Sequence, residues 1–118
     1  MITEAKKCAD LPRAEVIARL NDTLRMTVTG GLIVITRGVR LLPRFTPTDL
    51  LKALASYDRF DPDNDPHGER DFGDLELFGA DLLWKIDYYD QEMRYGSDDP
   101  AKGARTTRVL TVMLACEY

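Results

Sequence analysis

The chain has 118 residues, 44% of them apolar, with a formal charge of -4. That length and apolar share suit one modest core and leave little room for a second domain. No apolar run reaches the roughly 18 to 20 residues that a membrane helix needs, and MITEAKKCADLPRAE lacks the apolar centre of a secretory signal, so a cytoplasmic protein with no membrane contact is expected. The charge is uneven: residues 58–100 carry 14 Asp and Glu against 4 Lys and Arg, while both flanks are mildly basic. An acidic middle argues against direct nucleic-acid binding by that region, which would need clustered Lys and Arg, and suits a protein with a basic surface, a metal or plain solvation. Cys8 and Cys116 have neither CxxC nor Cys/His ligand spacing and read as reduced thiols.

Asp10-Leu11-Pro12 signals a helix start, and Val16, Ile17, Leu20 and Leu24 recur at helical spacing, which predicts a helix over 12–23. Its polar face carries Arg13, Glu15, Arg19 and Asp22, with Glu15 and Arg19 placed as an i,i+4 pair. Leu24, Met26 and Val28 then alternate with Arg25, Thr27 and Thr29 ahead of Gly30-Gly31 and LIVIT at 32–36. Two strands joined by a type I′ turn are expected there. The Gly pair has no phosphate-loop context. Thr46 or Thr48 caps a second helix over 47–57, with Leu50, Leu51, Leu54 and Tyr57 on one face. Arg37, Arg40 and Arg44 form a small basic cluster before it, read as exposed loop arginines or as contacts for an acidic surface.

The stretch from Asp61 to Asp90 holds the only His, the only Trp and half of the carboxylates. Gly79-Ala80 reads as a type II′ turn joining strands over 69–78 and 81–89, with Phe78 opposite Asp81, Leu77 opposite Leu82, Leu75 opposite Trp84, Gly73 opposite Ile86 and Asp71 opposite Tyr88. Leu75, Leu77, Leu82, Trp84 and Ile86 then share a core face. The other face pairs Asp74 with Lys85 across the strands. Residues 91–102 read as a polar surface loop. The ending over 106–118 is open between strand and helix: its β-branched residues favour a strand, and the spacing of Val109, Val112, Met113 and Cys116 leans to a buried helix.

Within the acidic stretch, Asp61, Asp63, Asp65, His67, Glu69 and Asp71 alternate, which in an extended segment gathers oxygen and nitrogen donors on one side. A divalent-metal set of Asp65, His67, Glu69 and Asp71 is one reading, and with Asp87 it would give a metal-dependent hydrolase centred on 61–71. The stretch is no EF-hand, since Pro66 and Phe72 stand where Gly and Glu are required, and no PD-(D/E)xK site, since Leu83 stands two positions before Lys85. A second reading is structural, with Asp side chains accepting from their own backbone and Pro62 and Pro66 stiffening the path. A third is a binding surface of Asp61, Asp63, Asp65, Glu69, Asp74, Asp87 and Asp90 for a basic partner. No catalytic residue can be named, no GxSxG is present, and Trp84 and Tyr88 read as core rather than a stacking platform with Tyr89 and Tyr95.

Asp63-Asn64-Asp65-Pro66-His67-Gly68-Glu69 with Asp71-Phe72-Gly73, then Trp84-Lys85-Ile86-Asp87-Tyr88-Tyr89-Asp90, and the ending Thr107 to Ala115 make the chain resemble an uncharacterised family of small single-domain proteins. It is a domain of unknown function found mainly in alphaproteobacteria, including on plasmids and other mobile elements. The likeness runs from Ile17 to Tyr118, departing at Arg70, where GERDFG replaces GEHDFG. The resemblance implies no activity; its mobile-element setting implies a regulatory or anti-defence role of the anti-CRISPR kind, inhibiting a nucleic-acid enzyme through its basic groove.

The expected architecture is a single α+β domain over 1–118: two β-hairpins forming an antiparallel sheet, with helices packed on one face. The expected function is a bacterial binding or regulatory protein that presents the acidic loop and hairpin to a basic partner, with no cofactor unless a divalent metal binds, and with homo-oligomers allowed.

Overall fold

A computed structural model describes residues 11–118. Its elements are helix α1 (Arg13–Thr27), strand β1 (Gly31–Ile35), a one-turn helix α2 (Arg37–Arg40), helix α3 (Pro47–Ser56), strands β2 (Phe72–Leu77), β3 (Ala80–Tyr89) and β4 (Thr107–Leu114), and short 3₁₀ turns at Gly103–Arg105 and Ala115–Glu117. The sheet order is β1-β4-β3-β2. β3 runs antiparallel to both β2 and β4, whereas β1 runs parallel to β4. The fold is α+β, as expected, with a mixed rather than antiparallel sheet.

Three expectations change. The segment from Leu24 to Thr27 continues α1 instead of starting a hairpin, because Ile17, Asn21 and Leu24 lie on one buried stripe whose helical period outlasts the local alternation. The helix stops where Val28 takes a left-handed conformation, and its N–H bonds the Leu24 carbonyl. β1 therefore has no hairpin mate and docks beside β4. The ending is a strand: β4 lies between β1 and β3 and buries side chains on both its faces, so Val109, Leu110, Val112 and Met113 form an apolar run, broken only at Thr111, that mimics helical spacing.

The third change is the turn. Phe78 and Gly79, not Gly79 and Ala80, form it, both at positive φ (57° and 73°), as a type I′ turn requires. Phe78 accepts that strained conformation while its ring packs edge-on against Phe45, centroids 5.6 Å apart. Gly73 consequently faces Trp84 and Leu75 faces Leu82, two residues from the expected register. A shift of two preserves parity, so the expected core face survives while the Asp74–Lys85 pair does not. Asp74 faces Leu83, and Lys85 bonds Asp87 on its own strand at 2.9 Å.

The three helices among the described residues cover one face. Leu24, Val39, Leu50, Leu54 and Tyr57 pack with Leu82, Trp84, Ile86, Leu110 and Val112. Thr46 caps α3 by accepting from the Asp49 N–H, and Thr36 caps α2. The opposite face carries Asp74, Glu76, Asp81, Lys85 and Asp87 on one half and Leu32 and Val34 on the other, by strand alternation. The C-terminal turn folds back on this side, where Tyr118 meets Phe72 with ring centroids 6.0 Å apart. Cys116 is an exposed thiol, and Cys8 lies outside the described residues.

Candidate functional site

Three polar groupings surround β2 and β3. The first is the turn at 61–65. One Asp61 carboxyl oxygen accepts from the Asp63 and Asn64 N–H groups at 2.8 and 3.0 Å, the Asn64 side chain accepts from the Asp61 N–H and donates to the Arg59 carbonyl, and Asp65 accepts from the Arg70 N–H at 3.0 Å. These are the local side-chain-to-backbone bonds of an Asx-rich turn. Asp63 is exposed, and so is His67.

The second grouping is internal and ties the acidic stretch to α1. Asn21 is fully buried: its amide donates to the Glu69 carbonyl at 2.9 Å and to the Tyr88 hydroxyl at 2.8 Å, and its oxygen accepts from Arg108 Nε at 2.8 Å. The Tyr88 hydroxyl donates onward to the Glu69 carboxylate at 2.8 Å, and the Arg108 guanidinium lies over the Tyr88 ring. A second Arg108 bond goes to the Pro100 carbonyl. Burial pushes the Tyr88 hydroxyl far above its ordinary range and draws Arg108 down from its usual value.

Beside it, Arg70 takes the left-handed conformation (φ 52°) and aims its guanidinium at Asp22 (2.8 Å) and Glu15 (3.2 Å). Glu15 also holds Arg19 at 3.1 Å, the expected i,i+4 pair. The bond from Arg70 holds the Glu15 carboxyl below its ordinary range. Asp22 reaches buried Arg25, which donates to the Leu54 and Tyr57 carbonyls at the C-terminal end of α3 and lies over Phe60 and Trp84. The position where the sequence departs from GEHDFG is thus an ion-pair anchor for the loop.

The third grouping faces outward. Asp74, Glu76 and Asp81 line a cleft of about 420 Å³ with Arg59, Leu83 and Ala115. None of the three carboxylates has an ion-pair partner among the described residues, and Arg59 is engaged in donating to the Asp74 carbonyl at 2.6 Å.

The residues singled out from sequence fall into different places. Asp61, Asp63 and Asp65 share the self-bonded turn, Glu69 turns inward to Tyr88, Asp74 and Asp87 sit on the open sheet face, and Asp90 closes a turn by accepting from the Arg94 N–H. Of Asp65, His67, Glu69 and Asp71, the half-buried Asp71 carboxyl is raised mainly by burial, with Glu69 and Asp65 adding repulsion. Among the described residues no three His, Cys, Asp or Glu side chains come together as metal donors. Trp84 is fully buried and Tyr88 largely so, as core packing required.

Asn21, Arg25 and Arg108 were not singled out from sequence. The signal was present for the first two: they share the helical stripe of Ile17 and Leu24, and polar residues on an apolar stripe need buried partners. Arg108, within a β-branched strand, gave none.

Comparison with protein families matches residues 35–117 to a family described as a protein of unknown function, DUF3768. The chain belongs to this family. The match spans β1's last residue through the C-terminal turn, and so includes the acidic loop, the hairpin and β4. Comparisons with curated proteins and with solved structures give no match. No described helix is long and apolar enough to cross a membrane.

Proposed function

We propose that this DUF3768 protein is a non-enzymatic binding protein that presents the open face of its hairpin to a basic protein surface. The observation that carries the reading is the set of three outward carboxylates, Asp74, Glu76 and Asp81, around one cleft without ion pairs among the described residues. Charges left uncompensated on a rigid strand pair cost little while solvated and are placed to meet Lys or Arg of a partner. The exposed Asp61 and Asp63 extend the same negative field beyond the hairpin. A basic groove of a nucleic-acid enzyme is the kind of surface that fits, and the bacterial mobile-element setting that the family resemblance implies suits a regulatory or anti-defence role.

Metal-dependent hydrolysis around Asp65, His67, Glu69 and Asp71 has less to stand on, since Asp65 is committed to a backbone N–H and Glu69 to Tyr88.

An arginine-rich peptide is the direct probe. Calorimetric titration at low salt is expected to give binding that weakens as salt rises, and Asp74→Asn/Glu76→Gln/Asp81→Asn together are expected to weaken it at least about tenfold, roughly 1.4 kcal/mol. Equal binding by the triple variant, or binding indifferent to salt, overturns the reading.

A further inference from the structure

The two edges of the sheet are finished differently. At the β2 edge, the outward N–H of Asp74 donates to the Tyr57 hydroxyl at 3.3 Å and its carbonyl accepts from Arg59, while Asp74 and Glu76 add charge. Such an edge is blunted against strand addition. At the β1 edge nothing comparable occurs. The Thr36 N–H donates to the Val112 carbonyl, so Thr36, Val34 and Leu32 turn their backbone groups toward β4, and Gly31, Ile33 and Ile35 turn theirs outward. Among the described residues those outward groups have no hydrogen-bond partner, and β4 is the only strand paired with β1.

The side chains around this edge are apolar and exposed: Leu32 is 51% and Val34 44% accessible on the open face, with Met26 at 52% and Val28 at 45% at the end of α1. The run from Thr29 to Thr36 contains no charge and no proline. A flat, uncharged edge of β-branched residues is a template for another strand.

We propose that β1 is the contact edge of a symmetric dimer, in which β1 of one copy pairs antiparallel with β1 of a second. The uncharged sequence from Thr29 to Thr36 admits that register without a clash of charges. Centring the two-fold axis on Ile33 sets Ile33 opposite Ile33 of the second copy, Gly31 opposite Ile35 and Leu32 opposite Val34. The outward-facing residues then form the hydrogen-bonded pairs of an antiparallel ladder. Leu32 and Val34 of each copy lie side by side on the open face, where the four exposed apolar side chains cover one another's flanks. The nearest cation, Arg37, falls opposite Thr29, so no like charges meet. A heterologous peptide could use the same edge, but only a second copy is guaranteed this match of register and neutrality. The surface is separate from the acidic cleft, which lies at the β2 side of the sheet.

Sedimentation equilibrium on the full chain tests this, with Val34→Lys as the edge-blocking variant and circular dichroism as the folding control. The wild-type chain is expected to shift from monomer to dimer as concentration rises through the micromolar range, in keeping with a small interface, and Val34→Lys is expected to weaken dimerisation at least about tenfold. A wild-type chain that stays monomeric to about 1 mM, or a variant that dimerises equally well, overturns the proposal. Amide exchange on the wild-type chain decides the matter even if the variant fails to fold. The Ile33 and Ile35 amides are expected to exchange more slowly at high concentration than at low, and exchange independent of concentration overturns the dimer.

Discussion

At the residue scale, Asp71 is the carboxylate whose surroundings serve it least. It is half-buried, with Glu69 and Asp65 nearby and no cation bonded to it among the described residues, and its carboxyl is raised above the ordinary value by burial first and repulsion second. A raised acid holds its proton more tightly in the folded state than in the unfolded one. The ionised group therefore lowers stability at neutral pH, and the loss is recovered as pH falls through the carboxylate range near about 4. Glu15 works in the opposite sense: held down by its bond to Arg70, it contributes stability at neutral pH that disappears on acidification. Asp71→Asn separates the two. Its melting temperature is expected to exceed that of the parent at pH 7, with the gap closing as pH falls toward 4. A gap that is the same at both pH values would assign the effect to packing instead of charge.

At the element scale, the hairpin depends on a glycine. A Cβ on Gly73 would stand 2.5 Å from Trp84 Nε1 and 2.6 Å from the Tyr57 ring, so the indole and the end of α3 occupy the space a side chain would need. Gly73→Ala is expected to cost about 1–3 kcal/mol by overpacking, read as a lower melting temperature and altered tryptophan fluorescence. An unchanged spectrum and midpoint would mean that the core has slack there. This position also marks how far the sequence could be read. Gly73 was expected opposite Ile86 and stands opposite Trp84, yet the core face of both strands followed from their alternation, which tolerates a register error of two. The turn itself was misplaced because the type I′ alternative required a phenylalanine at positive φ, a cost offset by packing against the sequence-distant Phe45 ring and the core. β4 was harder to read because a central strand buried on both faces loses its period of two. The parallel pairing of β1 with β4 joins segments more than 70 residues apart, a contact that no local pattern encodes. The inward grouping of Asn21, Glu69, Tyr88 and Arg108 joins α1, the acidic loop, β3 and β4 and is long-range in the same way, whereas the outward placing of Asp74 followed from strand alternation.

At the scale of the whole molecule, the two proposals combine into a geometry. Joining β1 edges extends the four strands of each copy into one sheet of eight, ordered β2-β3-β4-β1 and then β1-β4-β3-β2 in the second copy, so the two acidic clefts fall at opposite ends. A dimer then engages a basic surface twice, and its second contact is intramolecular wherever the spacing of the partner's cationic sites permits. Val34→Lys, which leaves Asp74, Glu76 and Asp81 untouched, separates this gain from the intrinsic affinity. With an arginine-rich peptide free in solution, each acidic cleft of parent and variant is expected to bind it with the same affinity. With the same peptide immobilised at high density, the parent is expected to dissociate at least about tenfold more slowly, while the variant shows no such retention. Equal retention of both proteins on the dense surface would mean that the clefts act singly, and the dimer would then be a matter of stability alone.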